Sequence, residues 1–506
     1  MSDSKNALPL GGPAKPTQNS LKSYEIVPRD RLFLLFTAAF CVLLVDTLIW
    51  HGPTAGLTAA VFAWYVLVLA YTGTAPLSIC SNRVLLLFNL LLATTLALGS
   101  SWYFRLWNLL ALLVLLPVHA LALSGAAQLP WWRPAMLWER FLLLLWGLFG
   151  HLGAAPAAVS AGKERDRRRV LPVVLGAVCS LILLAFLVPI LASADALFAA
   201  ATADLRAFIR LHFTAAVWKL IWGLALTPFF FSLLYSLRHP APLKNYSGEK
   251  PPTADALGFA LVLAALDLLY LLFLAVQSAG LFGGAAYLAQ RGISYAEWAR
   301  SGFFQMVGVT TVNLSVTMAA LFFSRRENRS WRTVRLLAAL LALESLVLLA
   351  SAAWRMTLYV SAYGLSFKRC MTCWGMVMMA LFLLTALRKV QKPDFSFCRW
   401  AFPLALAGWL VINCVPVDYL VARDQVDRYL AGESASIDVE YLLYDLSYDT
   451  LSQLERLDDS LICRRQDGGQ QRLVNAVAER RAQARLECAD WHTWSLSACL
   501  AAGQSS

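Results

Sequence analysis

Charged side chains are scarce in this 506-residue chain. Asp, Glu, Lys and Arg make up 15% of it, where soluble domains carry about 25%. Hydrophobic residues account for 59% and the mean hydropathy is +0.59, which places the chain in a lipid bilayer before any motif is read. Catalytic signatures are missing too. The sequence has no HExxH, GxSxG, GxxxxGKS/T or GxGxxG, so it offers no zinc-protease helix, nucleophile elbow or nucleotide cradle. Its six histidines (His51, His119, His151, His212, His239 and His492) include no pair four residues apart, so their spacing gives no support to a metal or haem site. No cofactor is expected. No basic stretch interleaves with exposed aromatics, which sets nucleic acid aside as a partner. Nor is there a repeat of roughly 20–50 residues, or two alignable halves of a transporter.

The charge that remains is unevenly placed. Residues 1–414 hold 34 Lys and Arg against 16 Asp and Glu, and residues 415–506 hold 9 against 15. The basic excess belongs to membrane-flanking loops, and the tail is acidic. The ten cysteines do not form a small disulfide framework. Cys41, Cys80, Cys179, Cys398 and Cys414 lie in or beside apolar runs, where a thiol behaves as a small hydrophobe. Cys370 and Cys373 form a CxxC after Lys368–Arg369. Basic neighbours at a helix start favour thiolate, but without a βαβ context the pair reads as membrane-interface cysteines. Cys463, Cys488 and Cys499 share the tail, which allows at most one internal pair and leaves one thiol over.

Residues 1–30 are polar, basic and without apolar period, a disordered N-terminus. A membrane span needs about 20 apolar residues. Such runs occur at Leu32–Trp50, Thr54–Tyr71, Val84–Tyr103, Leu106–Leu123, Val170–Leu191 and Phe213–Leu237. They continue at Asp255–Gly280, Gly302–Phe323, Val334–Ala353, Met371–Leu387 and Phe402–Cys414. Phe141–Val159 is ambiguous, because its short apolar core runs into Gly147, Gly150, His151, Gly153 and Pro156. Basic clusters at Lys163–Arg169, Arg238–Lys250, Arg325–Arg335 and Arg388–Arg399 are two spans apart, so they share the cytoplasmic side. A cytoplasmic basic N-terminus then needs an even number of crossings before Lys163. Phe141–Val159 is accordingly read as an interfacial or re-entrant helix. The expectation is an all-α polytopic protein of about 11 transmembrane helices, with 12 as the competing count. Its parts are residues 1–30, an N-terminal membrane region at 31–160, a membrane core at 161–414, and an extracytoplasmic, acidic, helical region at 415–506.

Two groups of polar residues stand out. Asp267 and Glu344 lie near the middle of apolar runs, where a carboxylate costs a few kcal/mol and so faces the bundle and a partner. With Gln277 and Asn313 as neighbours they suggest a proton relay or cation path, or else a pair that fixes helix packing. Asp46 and Lys219 lie nearer span ends, and Lys219 can snorkel. The second group is Asp195, Tyr295, Glu297, Arg300, Arg355, Tyr359 and Tyr363, which the topology brings to one depth at the outer face. It reads as a polar binding mouth, or as an inter-helix clamp that also docks the tail.

Several stretches, in order, resemble a family of bacterial multi-pass membrane proteins known only as a domain of unknown function. They are LVPILASADALF (Leu187–Phe198), LDLLYLLFLAVQ (Leu266–Gln277) with LFGG (Leu281–Gly284), and SYAEWARSGFFQ (Ser294–Gln305) with Asn313. SAAWRMTLYVSAYGL (Ser351–Leu365), VARDQVDRYL (Val421–Leu430) and IDVEYLLYDLS (Ile437–Ser447) follow. The similarity runs from about Lys163 to Leu457. Where the family usually has Tyr-Asn this chain has Asp424-Gln425, and Trp298 stands where Tyr is common. The resemblance implies a bacterial cytoplasmic membrane and supplies no reaction. The chain therefore reads as a non-enzymatic envelope sensor, regulator or assembly factor, with lipid around it and a protein partner at its tail. One alternative is a proton-coupled carrier using Asp267 and Glu344, with helix breaks at Pro172, Pro189, Pro228 and Gly308. Another is a transferase on lipid-linked substrates acting through Asp195, Glu297 or Arg355.

Overall fold

The computed structural model describes residues 24–133, 135–160, 215–239, 254–282, 303–325, 330–465 and 468–503, with isolated positions between 176 and 202. Its contacts divide into two units: Met1–Val42 with Leu145–His239, and Leu43–Leu144 with Pro240–Ser506.

The chain opens with α1 (Pro28–Leu44), which runs into a π-helical turn at Val45–Trp50. Next come α2 (Ala55–Thr72), α3 (Cys80–Leu98), α4 (Trp102–Leu123), α5 (Ala135–Phe149) and the short α6 (Ala154–Val159). The membrane part continues with α7 (Ala215–Arg238), α8 (Ala256–Phe282), α9 (Phe303–Phe323) and α10 (Ser330–Tyr363). It ends with α11 (Phe367–Gln391) and α12 (Phe397–Cys414).

Nine helices among the described residues are long and apolar enough to cross a membrane, and the apolar stretch of α9, Val307–Phe323, is shorter. The expected span at Val170–Leu191 lies mostly outside the described residues. Phe141–Val159 is interrupted: α5 stops at Phe149 and α6 starts at Ala154. Inside these apolar helices hydroxyls find partners on their own backbone. Thr37 donates to Phe33 O at 2.7 Å, Thr227 to Gly223 O at 2.9 Å and Ser345 to Leu341 O at 2.7 Å, which satisfies these three hydroxyls in the apolar interior. Neither Pro228 nor Gly308 breaks its helix, since α7 and α9 run through them. Pro172 and Pro189 lie outside the described residues.

In the first unit small residues let helices close on one another. A Cβ on Gly223 would lie 2.5 Å from Val42 Cγ2 and 2.7 Å from Val42 Cα. Ser232 Oγ donates to Gly147 O at 2.6 Å and accepts from His151 N at 3.1 Å, which ties the end of α5 to α7. Gly223→Val is expected to lower the thermal stability of the detergent-solubilised protein by about 1–3 kcal/mol, the usual cost of overpacking. A Tm equal to wild type in a melting series would show that α1 and α7 do not meet there.

In the second unit a polar net joins α3, α4 and α12. Asn108 donates to Thr95 Oγ1 at 2.9 Å and to Asn413 Oδ1 at 2.7 Å, and accepts from Trp409 Nε1 at 2.8 Å. Another joins α2, α3 and α4 through Tyr65, Asn89 and His119. Glu139, on α5, accepts from Gln128 N and Leu129 N, fixing how α5 follows α4.

The tail contains α13 (Val417–Leu430), a π-helical turn at Tyr441–Asp445, and α14 (Leu451–Leu454). These lead into the hairpin β1 (Ile462–Arg464) and β2 (Gln470–Arg472), then α15 (Leu473–Ala489) and α16 (Leu496–Gly503). The hairpin is a small strand element in a tail that the sequence reads as helical. Gly468, at φ +90°, turns the chain, and Arg464 pairs with Gln470. The tail core of Val421, Val426, Leu442, Leu451, Leu454, Leu473 and Ala498 is continuous with Phe104, Phe367, Trp374 and Trp409 at the ends of α4, α11 and α12. It is therefore a docked domain, not a tethered one.

Candidate functional site

Helices α8, α9 and α10 share one end of the bundle, where Arg325 N donates to Ala254 O at 3.1 Å. Counted from that end at 1.5 Å per residue, Asp267 on α8, Asn313 on α9 and Glu344 on α10 lie roughly 15–21 Å in. That is mid-bilayer for a hydrocarbon core of about 30 Å. All three are buried, at 3%, 1% and 3% exposure. Asn313 Nδ2 donates to Ser345 Oγ at 2.9 Å, bridging α9 to α10. Tyr270, one turn beyond Asp267, brings its hydroxyl beside Asn313 and Glu344.

The two carboxyl groups lie within electrostatic reach of each other, and none of their four oxygens has a hydrogen-bond partner among the described residues. Like charges in contact repel strongly at low dielectric. The arrangement therefore calls for a positive charge between them, a proton or a cation. Of the four intramembrane residues singled out from sequence, three are brought together; the side chain of Gln277 lies outside the described residues. Tyr270 and Ser345 complete the cluster. The sequence hint for Tyr270 was its i+3 spacing from Asp267.

The outer-face group is seen only in part, because Tyr295, Glu297 and Arg300 lie outside the described residues. Arg355 is buried on α10. Tyr359 and Tyr363 pack with ring centroids 5.1 Å apart. Arg369, at the start of α11, lies over Tyr359 at 4.2 Å and donates to Tyr363 O at 2.9 Å. Asp195, in the first unit, accepts from Phe198 N at 3.1 Å and caps its own turn.

The tail grips the turn between α10 and α11. Gly364 adopts φ +73°, and the next residue is held on both sides. Leu365 N donates to Asp424 Oδ2 at 2.6 Å, and Leu365 O accepts from Gln425 Nε2 at 2.9 Å. Phe367 N donates to the Tyr441 hydroxyl at 3.0 Å. Asp424 and Gln425, the pair at which this chain departs from the Tyr-Asn pattern, thus have a definite task. Cys370 and Cys373 are free thiols. Nor are the histidines all scattered in space: His51 and His492 stack at 3.9 Å beside Asp46.

Asp418 is the most deeply buried carboxylate among the described residues of the tail. Its Oδ2 accepts from Ser447 N at 3.1 Å, and burial pushes its pKa above the usual carboxylate range. The folded state therefore holds this proton more tightly than the unfolded chain. Its contribution is fully present below the unfolded carboxylate value and is lost as pH rises through the raised folded value. Asp418→Asn keeps the acceptor for Ser447 N and removes the titration. Melting curves across a pH series should show the variant gaining on wild type as pH rises through that window; parallel curves would disprove it.

A family model described as a domain of unknown function, DUF4153, matches residues 86–457. The chain belongs to this family. The DUF4153 region begins within α3, well before the resembling stretches that start near Lys163, and ends before β1. It takes in Asp267, Asn313, Glu344, Arg355, Asp418 and Asp424, while His51 and His492 lie outside it. No curated protein and no solved structure matches the chain.

Proposed function

We propose that this DUF4153 protein is a non-enzymatic sensor or regulator of the bacterial cell envelope, set in the cytoplasmic membrane with its N-terminus inside and its tail outside. In this reading the charge state of the Asp267–Glu344 pair is passed to the tail, which presents it to a protein partner. The observation that carries it is the course of α10. This helix holds Glu344 near its middle, and about 28 Å further on it ends at the turn gripped by Asp424, Gln425 and Tyr441. A stiff helix with a titratable group at one point and a clamped end at another suits transmission, given two arrangements for it to switch between. A Cys488–Cys499 disulfide in the tail supports the outside placement, because such bonds persist in oxidising compartments.

Amide hydrogen exchange at Leu365 and Phe367 tests the coupling. Asp267→Asn/Glu344→Gln should change their exchange several-fold relative to wild type. Unchanged exchange with the protein folded would end this reading. A reporter fused after Cys414 tests the orientation separately. The bare oxygens of the pair also favour a second reading, a proton- or cation-coupled carrier. Flux in proteoliposomes that disappears in Asp267→Asn would support it; the unbroken courses of α7 and α9 through Pro228 and Gly308 weigh against it.

A further inference from the structure

We propose that Asp46, His51 and His492 form a binding site for a divalent transition-metal ion of the zinc class, which fastens the end of the tail to the α1–α2 connection. One ligand atom from each of the three residues lies within 4.8 Å of the other two. Asp46 sits in the π-helical turn that closes α1, with His51 directly after it. His492 comes from the loop between α15 and α16, 446 residues from Asp46. Its position is well fixed: its carbonyl accepts from Gly56 N at 2.9 Å and from Thr54 Oγ1 at 2.6 Å. The Cys488–Cys499 disulfide closes the loop around it.

The two rings are tied as metal-ligating imidazoles usually are, each through its other nitrogen. His51 Nδ1 lies 2.9 Å from Asp46 O; a carbonyl can only accept, so Nδ1 carries the proton and Nε2 is left as the free lone pair. His492 Nδ1 lies 2.7 Å from Asp490 Oδ1, and its Nε2 points at Asp46 Oδ2, 3.0 Å away. Neighbouring ligand atoms on a tetrahedral zinc ion are about 3.3 Å apart, given bonds of about 2.0–2.1 Å. The His492–Asp46 edge is thus close to the required length. With two neutral imidazoles and the carboxylates of Asp46 and Asp490, a divalent ion brings the local charge to zero. Two nitrogens and one oxygen are a donor set that suits zinc. Three protein ligands leave a fourth position open to water or to a ligand from outside. Each ligand is about four-fifths buried, yet all three lie outside residues 86–457, so the site is a property of this chain's flanks and not of the DUF4153 region. It stands whether or not the carboxylate pair senses anything.

The test uses the full chain in detergent, purified without a histidine tag and stripped with chelator. Calorimetric titration with Zn2+ should give one site per chain. His51→Gln/His492→Gln should abolish it. Asp490→Asn, which leaves every ligand in place, should weaken it about 10–100-fold. Co2+ in place of Zn2+ should give tetrahedral d–d bands with no thiolate charge-transfer band. Should the histidine variant fail to fold, Asp490→Asn and the cobalt spectrum still decide. Wild-type protein that binds no stoichiometric Zn2+, affinity indifferent to Asp490→Asn, or a thiolate band assigning the metal to Cys370 and Cys373 would each overturn the proposal.

Discussion

Cys488→Ser/Cys499→Ser should cost the tail about 3 kcal/mol, the chain-entropy value for so short a loop. The bond spans 11 residues and joins the end of α15 to α16. The loop it closes does more than end the chain. Its Ser497 donates to Asp449 Oδ1 at 2.6 Å and meets Ser100 Oγ, between α3 and α4, at 2.8 Å. Ser100 Oγ in turn accepts from Tyr448 N at 3.1 Å. Freeing α16 therefore loosens the tail from the membrane helices as well as from α15. The two single serine variants should match the double, since either one removes the whole bond. The remaining tail thiol, Cys463, is 1% exposed and burial pushes its pKa up, so thiol reagents should label the folded wild-type tail slowly. A double variant that melts with wild type, with or without reductant, would show that the bond contributes nothing.

How much of this was legible in the sequence follows from which forces leave a local trace. Membrane helices did, because burying backbone in lipid demands long apolar runs. The carboxylates at 267 and 344 did, because a charge in such a run is costly wherever it points. Their meeting did not. A helix apolar all round, such as α8, has no 3.6-residue stripe to say which side faces protein, so composition fixes depth and leaves rotation open. Three tail cysteines limited the pairing to one bond, but choosing Cys488 and Cys499 required the hairpin that buries Cys463. The hairpin escaped because Gln470–Arg472 is polar and short, and only Gly468–Gly469 marked its turn. His51 and His492 escaped most completely. Ligand spacing along the chain is informative when one element carries the ligands, and here two distant loops do.

The largest effect is expected when the charge between Asp267 and Glu344 is reversed. Glu344→Lys alone sets an ammonium against the Asp267 carboxylate and turns a repelling pair into an attracting one, so the protein should accumulate in membranes near the wild-type level. Asp267→Lys alone should do the same against Glu344. The double Asp267→Lys/Glu344→Lys puts two unpaired cations at mid-bilayer. At about 2.5–3.5 kcal/mol each on insertion scales, the sum rivals the whole stability of a domain, about 5–15 kcal/mol. Membrane accumulation and thermal stability should then collapse in the double variant while both singles survive. Such strong non-additivity is the mark of residues in direct contact. Asp267→Asn/Glu344→Gln supplies the control, because it removes the charges, keeps the shapes and should stay folded. If instead each lysine is as harmful alone as in company, the carboxylates do not face each other, and the sensor and carrier readings lose their common foundation.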